Sequence, residues 1–372
     1  MEGLKWIEEQ REWALELLIK WACINSWSYN SKGLDQMKKS IKEIFDPLAD
    51  SVNELEFVKR SFAKKKILLG GHLDTVYPPH SPFQFCQVLG SKLIGPGVAD
   101  MKGGLIVLYL SLSAFEKFSP IKSFGWEVFI NSDEEIGSPE SRKLWKIKGK
   151  NADFGLLFEP SFSDGALVDR RKGSINFKVE IKGIPAHVGR DFKKGRSAII
   201  ALAQFINKAD LLAKTYSGLT LNVGEIHSDS PINIVAEFAS CQINIRSFKK
   251  THLLLIQKRL TELSVEISRA TETTIHLIPL SKKLPKPFTR ETKGLFETLN
   301  ESARSLNMTL TTRPSGGLSD GNILAEVNLP CLDTLGVIGG NLHTPEEYME
   351  IESMIKRAKL IYSFLYQYAN EE

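Results

Sequence analysis

Two histidines and several acidic residues follow the predicted strands of this sequence. His72 comes just after the apolar run 67–69, and His343 follows the run 332–337. Open parallel sheets bind ligands at the carboxyl ends of their strands, and acids are almost never buried unless paired or metal-bound. A packing role for the whole set is therefore a poor explanation. The set comprises His72, Asp74, Asp133, Glu134, Glu135, Glu159 and His343, with Asp100 after a glycine-rich turn at the start of a predicted buried helix.

This mixture of imidazole and carboxylate predicts a metal centre. It suits Zn²⁺, with Co²⁺ or Mn²⁺ as substitutes, whereas an all-oxygen set would favour Mg²⁺ or Ca²⁺. Five ligands are too many for one catalytic zinc, but they suit two ions about 3.5–4 Å apart that share a carboxylate. Asp74, two residues from His72 on the same predicted strand face, is placed to orient the imidazole. In the pair Glu134–Glu135, one residue can be a ligand and its neighbour a base.

Composition excludes several other classes of protein. The chain has 372 residues, 42% hydrophobic and 25% charged, which is typical of a folded globular protein and not of a disordered one. Its net charge of +4 is too small to indicate a nucleic acid or an anionic membrane as partner. The four cysteines are far apart, and the longest apolar stretch, 104–114, is shorter than the ~20 residues of a membrane span. We therefore expect a cytoplasmic protein.

The elements that must position these residues form two domains. Apolar strands alternate with helical patterns over residues 1–170 and again over 286–372, which predicts an α/β domain with a mostly parallel central sheet and helices on both faces. Residues 171–285 show a β-α-β-β-α-β order and predict an inserted α+β domain of the ferredoxin-like type. Near the N-terminus, the spacing predicts one helix over 5–22.

Five segments, in register over nearly the whole chain, resemble the di-zinc peptidase and deacylase family. That family includes glutamate carboxypeptidase, acetylornithine deacetylase, succinyl-diaminopimelate desuccinylase and aminoacylase, and the glutamate carboxypeptidase branch is the most similar. The segments are Gly-His-Leu-Asp-Thr-Val (71–76), Gly-Pro-Gly-Val-Ala-Asp-Met-Lys-Gly-Gly (95–104), Ser-Asp-Glu-Glu-Ile-Gly-Ser (132–138), Phe-Glu-Pro (158–160) and His-Thr-Pro-Glu-Glu-Tyr (343–348).

The resemblance implies a role for each candidate residue of the metal centre. Asp100 would bridge two Zn²⁺ ions; one ion would be completed by His72 and Glu159, and the other by Glu135 and His343. Glu134 would be the general base and Asp74 would orient His72. The peptide bond after Asp100 resembles one that is cis in this family.

The resemblance extends to the inserted domain, which would act as a lid and dimerisation domain. His187 resembles a lid histidine that reaches a dimer partner's active site and stabilises the oxyanion. Asn233 and Arg246 resemble the pair that contacts the substrate carboxylate, and Gly316–Gly317 resemble a glycine-rich turn beside it. A homodimer is therefore expected.

The expected activity is hydrolysis of an amide bond to an amino acid with a free carboxylate, in a peptide or acyl-amino-acid substrate. A carboxypeptidase and an N-acyl-amino-acid deacylase both fit. Residues 161–168 contain no lysine, although the glutamate carboxypeptidase pattern has one in this stretch. From a different class, the alternatives are a metal-dependent phosphoesterase and a catalytically silent binding protein. Two imidazole ligands and the lack of a basic groove argue against the phosphoesterase, and an intact Glu134 argues against the silent protein.

Overall fold

The computed structural model describes residues 2–370. Its helices in chain order are α1 (Glu2–Glu9), α2 (Arg11–Ala22), α3 (Ser31–Phe45), α4 (Gly103–Phe118), α5 (Arg142–Lys150), α6 (Ala198–Lys214), α7 (Lys250–Thr271), α8 (Arg290–Ser305), α9 (Gly321–Ala325) and α10 (Ile351–Asn370). Its strands are β1 (Ser51–Asn53), β2 (Glu56–Lys59), β3 (Lys65–His72), β4 (Gln87–Leu89), β5 (Lys92–Ile94), β6 (Phe124–Asn131), β7 (Phe154–Leu157), β8 (Leu167–Arg171), β9 (Gly173–Lys182), β10 (Thr220–His227), β11 (Phe238–Ser247), β12 (Thr274–Lys283), β13 (Thr312–Ser315), β14 (Cys331–Leu332), β15 (Gly339–Gly340) and β16 (Tyr348–Glu350).

The chain divides into two compact units. The larger consists of Met1–Asp169, Phe288–Pro314 and Ser319–Glu372, and the smaller of Arg170–Pro287 with Ser315–Leu318. The sequence placed this last segment in the larger domain. The structure groups it with the smaller unit, where Arg246 donates a hydrogen bond to the Gly316 carbonyl and Arg171 to that of Gly317.

The central sheet of the larger unit has the strand order β1-β2-β6-β3-β7-β14. β3 runs parallel to β6 and β7, and β14 runs parallel to β7, whereas β1 and β2 form an antiparallel edge. The predicted mostly parallel sheet is confirmed. A second sheet of this unit, β15-β16-β5-β4, is antiparallel.

Alternate residues of the central strands enter different cores, so helices cover both faces of the sheet. Ile67 and Leu69 of β3 belong to the main apolar cluster, in which α4 and α10 also take part. Leu68, between them, joins a smaller cluster with Trp145 of α5 and Leu324 of α9. This alternation follows from the two-residue period of a strand. Both faces are apolar, as burial of a parallel sheet requires.

The smaller unit has the predicted β-α-β-β-α-β order. β9, α6, β10, β11, α7 and β12 follow one another along the chain, and the antiparallel sheet has the order β10-β11-β9-β12. Side chains of β9 alternate between buried and partly exposed, so one face of the sheet is apolar. α6 and α7 contribute Phe205 and Leu260 to the separate core of this unit.

The structure corrects two predicted elements. The single helix over 5–22 is divided into α1 and α2 at Gln10, whose N–H lies 3.2 Å from the carbonyl oxygens of both Trp6 and Ile7. The strand over 332–337 pairs as β14 only through Leu332. Beyond it the Leu335 and Gly336 N–H groups donate to the Leu157 and Glu159 carbonyls, so this segment wraps the end of β7.

Among residues 2–370, one stretch is long and apolar enough to cross a membrane by length and composition alone. It runs over Val98–Phe118, and 94% of the 18-residue portion that meets this criterion is buried inside the protein. Burial of this extent is that of a core helix.

Candidate metal centre

The carboxyl ends of adjacent strands position the candidate ligands. His72 is the last residue of β3 and pairs with Asn131, the last residue of β6. Glu134 and Glu135 follow β6, and Glu159 lies two residues beyond β7. The sheet therefore brings these segments to one edge, as the parallel arrangement predicts.

Asp100 lies on a kinked turn, Val98–Lys102, that leads into α4. Its φ and ψ of −114° and 92° are not helical, and the bond to Met101 is cis. The expectation that Asp100 begins the buried helix is therefore wrong, since α4 begins at Gly103. Gly97, at φ +73°, allows the turn to form, because a Cβ there would lie 2.7 Å from the Thr75 side chain.

The first group of candidate ligands is buried. The His72 Nε2 atom lies 3.1 Å from Asp100 Oδ1 and 3.7 Å from Glu159 Oε2. All three residues are less than 10% exposed. Their ligand atoms lie within 4.8 Å of one another, close enough to surround one cation.

The second group shares Asp100 with the first. The His343 Nε2 atom lies 3.4 Å from Asp100 Oδ2 and 3.2 Å from Glu135 Oε2, and these atoms also lie within 4.8 Å of one another. The two oxygens of Asp100 therefore face different groups. Unlike the buried His72, the His343 side chain is 53% exposed.

Asp74 fixes the other side of the His72 ring. The His72 Nδ1 atom lies 3.0 Å from the Asp74 carbonyl oxygen and 3.3 Å from its Oδ1. Asp74 lies beyond the end of β3, not on the strand as the spacing predicted. Its carboxylate accepts hydrogen bonds from the Ser28 hydroxyl at 2.7 Å and from the N–H groups of Glu134 and Glu135.

The electrostatics of the two groups favour positive charge between the carboxylates. Burial by itself would raise the pKa of Asp100, but hydrogen bonds from His343 and His72 hold it well below its usual value. Hydrogen bonds to Asp100 and Glu135 raise the pKa of His343 to about 11. Burial opposes a charge on His72, yet contacts with Asp100, Asp74 and Glu159 raise its pKa well above 6.5.

These residues fit a divalent transition metal. Imidazole with carboxylate is the donor set of zinc sites, and both histidines have their Nε2 atoms directed at carboxylate oxygens. A cation between them would replace the protons that otherwise stabilise the carboxylates. His72, Asp100 and Glu159 would hold one ion, and Asp100, Glu135 and His343 a second.

Sequence reasoning did not identify three further residues that support the segments of the centre. Ser28 gave no signal, because it lies in no motif. Glu347 lies within the quoted segment 343–348, yet its burial and its contacts required the structure. Lys102, only 1% exposed, donates from Nζ to the carbonyls of Trp21 and Ile24, so it attaches the end of α2 to the Asp100 turn.

The smaller unit brings its candidate residues together in two pairs. His187 is exposed and forms a β-bridge with Ile234, next to Asn233, whose carbonyl accepts from the Val188 N–H. Arg246 Nη1 donates to the Gly316 carbonyl at 2.9 Å, and its Nε donates to Asn244.

The fold and the two ligand groups define a metal-dependent hydrolase. The family model of peptidase family M20/M25/M40 matches residues 68–367, so the chain belongs to that family. It is therefore an enzyme, a metallopeptidase or amidohydrolase, and its substrates are small molecules.

Named relatives are similar at moderate identity. Carboxypeptidase G2 of Pseudomonas sp. (strain RS-16) is 27% identical over 301 residues, 79% of this chain and 71% of the relative. Succinyl-diaminopimelate desuccinylase of Rickettsia bellii (strain OSU 85-389) is 25% identical, with 83% of each chain covered.

Solved structures share the fold. Aminopeptidase PepT of Bacillus cereus ATCC 10987 superimposes with a TM-score of 0.81 at 20% identity, covering 97% of this chain and 99% of that one. The metallo-carboxypeptidase Sso-CP2 of Sulfolobus solfataricus gives 0.73 at 16% identity, covering 96% and 99%.

Proposed function

We propose that this enzyme is a zinc-dependent carboxypeptidase that releases an amino acid with a free carboxylate by hydrolysing its amide bond. The observation that carries the proposal is the position of Asp100, whose two oxygens face separate groups of ligands. This is the arrangement of a dinuclear hydrolytic centre. The similarity to carboxypeptidase G2 supports the choice of substrate.

Two Zn²⁺ ions, for which Co²⁺ or Mn²⁺ can substitute, would polarise the scissile carbonyl and lower the pKa of a bound water to about 7. Glu134 accepts the proton of the attacking water and delivers it to the leaving nitrogen. The bonds from its own N–H and that of Glu135 to Asp74 fix the backbone of this segment. Asp74 in turn holds the His72 ring in an orientation in which its Nε2 atom would bind an ion.

Residues of the smaller unit bind the substrate in this proposal. Arg246 pairs with the free carboxylate, for which a planar guanidinium fork is well suited, and Asn233 and the Gly316–Gly317 turn contact it as well. His187 stabilises the oxyanion in the active site of the neighbouring subunit of a homodimer formed through this unit. The enzyme is cytoplasmic.

An N-acyl-amino-acid deacylase is the second candidate. The similarity to succinyl-diaminopimelate desuccinylase supports it, as does the lack of lysine in residues 161–168. Both activities use the same centre and differ in the acyl group they accept.

The test compares substrates with and without a free carboxylate. The protein, loaded with Zn²⁺ or Co²⁺, is assayed on N-acyl amino acids, dipeptides and their C-terminal amides. We expect turnover only where the carboxylate is free. Glu134→Gln should lower kcat by about 10²–10⁴-fold with the metal content unchanged by elemental analysis. Glu140→Gln, an exposed acid of the same segment, is the matched control.

Three results would contradict the proposal. One is a protein that retains full activity after its metal is removed, and another is Glu134→Gln with the activity of Glu140→Gln. The third is an Arg246→Ala variant in which turnover falls equally for substrates with a free carboxylate and for their C-terminal amides. Arg246 would then not bind the substrate carboxylate.

A further inference from the structure

Glu347 and Tyr77 form a buried polar pair beside the metal centre. Glu347 is 0% exposed and Tyr77 is 6% exposed. The Tyr77 hydroxyl donates to Glu347 Oε2 at 2.6 Å. Burying a carboxylate is costly unless hydrogen bonds satisfy it. Here they come from Tyr77 and from the backbone of the Asp100 turn.

The pair connects three of the segments that carry candidate ligands. Tyr77 lies five residues after His72. Glu347 Oε1 accepts from the N–H groups of Ala99 and Asp100, each at 3.0 Å, and Oε2 accepts from that of Gly97 at 3.2 Å. Glu347 also lies four residues after His343, and the Tyr77 hydroxyl is 3.0 Å from the carbonyl oxygen of Thr344.

The two ligand groups depend on this pair to different extents. His72 is held in β3 and by Asp74, and the Glu159 carbonyl accepts from Gly336, so two of the three ligands of the first group have anchors outside the pair. Asp100, the third ligand, is shared by both groups, and its N–H donates to Glu347. His343 lies in the exposed segment 341–346 with φ +63°, a conformation that a residue with a Cβ rarely adopts. Such a conformation persists only where surrounding contacts maintain it, and Tyr77 supplies one of them through Thr344.

We infer that Tyr77 and Glu347 are positioning residues that set the affinity of the second group (Asp100, Glu135 and His343) for its cation and affect the first group, which shares only Asp100 with the second, to a smaller extent. The inference rests on the dinuclear centre of the proposed function. Neither residue acts as a metal ligand; both act through the position of the His343 segment relative to Asp100.

Two substitutions test the two parts of the pair. Tyr77→Phe removes the hydroxyl and preserves the ring, so only the link to Glu347 and Thr344 is lost. Glu347→Gln is more disruptive, because donors surround both carboxylate oxygens and an amide can accept on only one side. Glu116→Gln is the matched control: its carboxylate is also largely buried and hydrogen-bonded, but to Arg60 and Trp126.

The measurement is a competition titration of Zn²⁺ against a chelator on the full-length protein, which gives two dissociation constants. Thermal unfolding of the metal-free protein is recorded in parallel. Substitution of residues that support metal ligands costs about 10–100-fold in affinity. We expect Tyr77→Phe to raise the second constant by about tenfold, and Glu347→Gln by up to about a hundredfold. The first constant should change by less than about threefold in both, and Glu116→Gln should change neither constant although it lowers the unfolding temperature.

The ratio of the two constants decides the inference. If Tyr77 and Glu347 serve folding alone, their substitution lowers the unfolding temperature and leaves the ratio unchanged. That result would overturn the inference, and so would an equal weakening of both sites. If the unsubstituted protein binds only one ion, both the inference and the dinuclear centre are wrong. If it binds two ions and the ratio changes as expected, yet it hydrolyses none of the amides, only the proposed function fails. Tyr77→Phe keeps the test decisive if Glu347→Gln does not fold.

Discussion

Removal of the Ser28 hydroxyl is expected to slow catalysis although Ser28 lies outside the 68–367 region that the family model matches. Ser28 donates to Asp74 Oδ2 at 2.7 Å, and Asp74, which is fully buried, orients the His72 ring. A hydrogen bond to a charged group contributes about 1.5–3 kcal/mol. Ser28 is partly exposed, so water can partly replace its hydroxyl in Ser28→Ala.

The magnitude follows from these contacts. Asp74 retains the N–H groups of Glu134 and Glu135 as donors, so the expected loss is about 1 kcal/mol, which is less than the usual value for a hydrogen bond to a charged group and typical of one between neutral groups. This corresponds to about a fivefold lower kcat. KM should change little, because Ser28 is not among the residues proposed to bind substrate.

Steady-state kinetics of the zinc-loaded protein measures this effect. Ser302→Ala is the control, because its hydroxyl bonds to Gln367 and to the Thr298 carbonyl on α8, away from the centre. If Ser28→Ala and Ser302→Ala have the same kcat, or if Ser28→Ala raises only KM, then the chain of contacts from Ser28 through Asp74 to His72 does not support catalysis.

Two further predictions concern metal binding and pH. The His343 pKa of about 11 in the metal-free protein means that cation binding must release a proton. The affinity of the second group for its cation should therefore fall by about tenfold per pH unit between pH 8 and 6. A chelator titration at three pH values measures this dependence, and an affinity that does not change with pH would contradict the prediction. Burial opposes ionisation of Glu116, but hydrogen bonds from Arg60 and Trp126 lower its pKa below the ordinary value. The ionised Glu116 therefore adds to the free energy of unfolding above about pH 4.3, and this stabilisation is lost as the pH falls through the folded-state pKa. Arg60→Met should lower the free energy of unfolding at pH 7 by about 1.5–3 kcal/mol, and this deficit should shrink toward pH 3 in urea titrations; a deficit that is constant with pH would contradict the ion pair.

The family, the alternation of strands and helices and the identity of the candidate ligands were accessible from the order of residues. Strand periodicity is a local property, and five short segments in register are specific enough to identify the family. The points at which a predicted element is interrupted were harder to predict. Nothing in the spacing indicated that the helix over 5–22 divides at Gln10, because α1 packs against α4 and α10 whereas α2 contacts the Asp100 turn.

Local patterns also gave wrong predictions where a segment is held by residues that are distant in sequence. Asp100 was expected to start a helix, yet its N–H is held by Glu347, 247 residues further along the chain. Ser315–Leu318 was expected in the larger domain, yet Arg246 and Arg171 bond to its carbonyls. Both outcomes depend on hydrogen-bond partners that are distant in sequence.

Residue types and their periodicity determine which atoms of this protein can bind a cation and which strands carry them, since chemistry and strand period are properties of short segments. Only the folded chain decides that Asp100 directs one oxygen to His72 and the other to His343. Only the folded chain, too, encloses the Glu347 carboxylate among backbone N–H groups and the Tyr77 hydroxyl. The physical reason is that distances of 3 Å between residues hundreds of positions apart are set by the packing of the whole sheet and its helices.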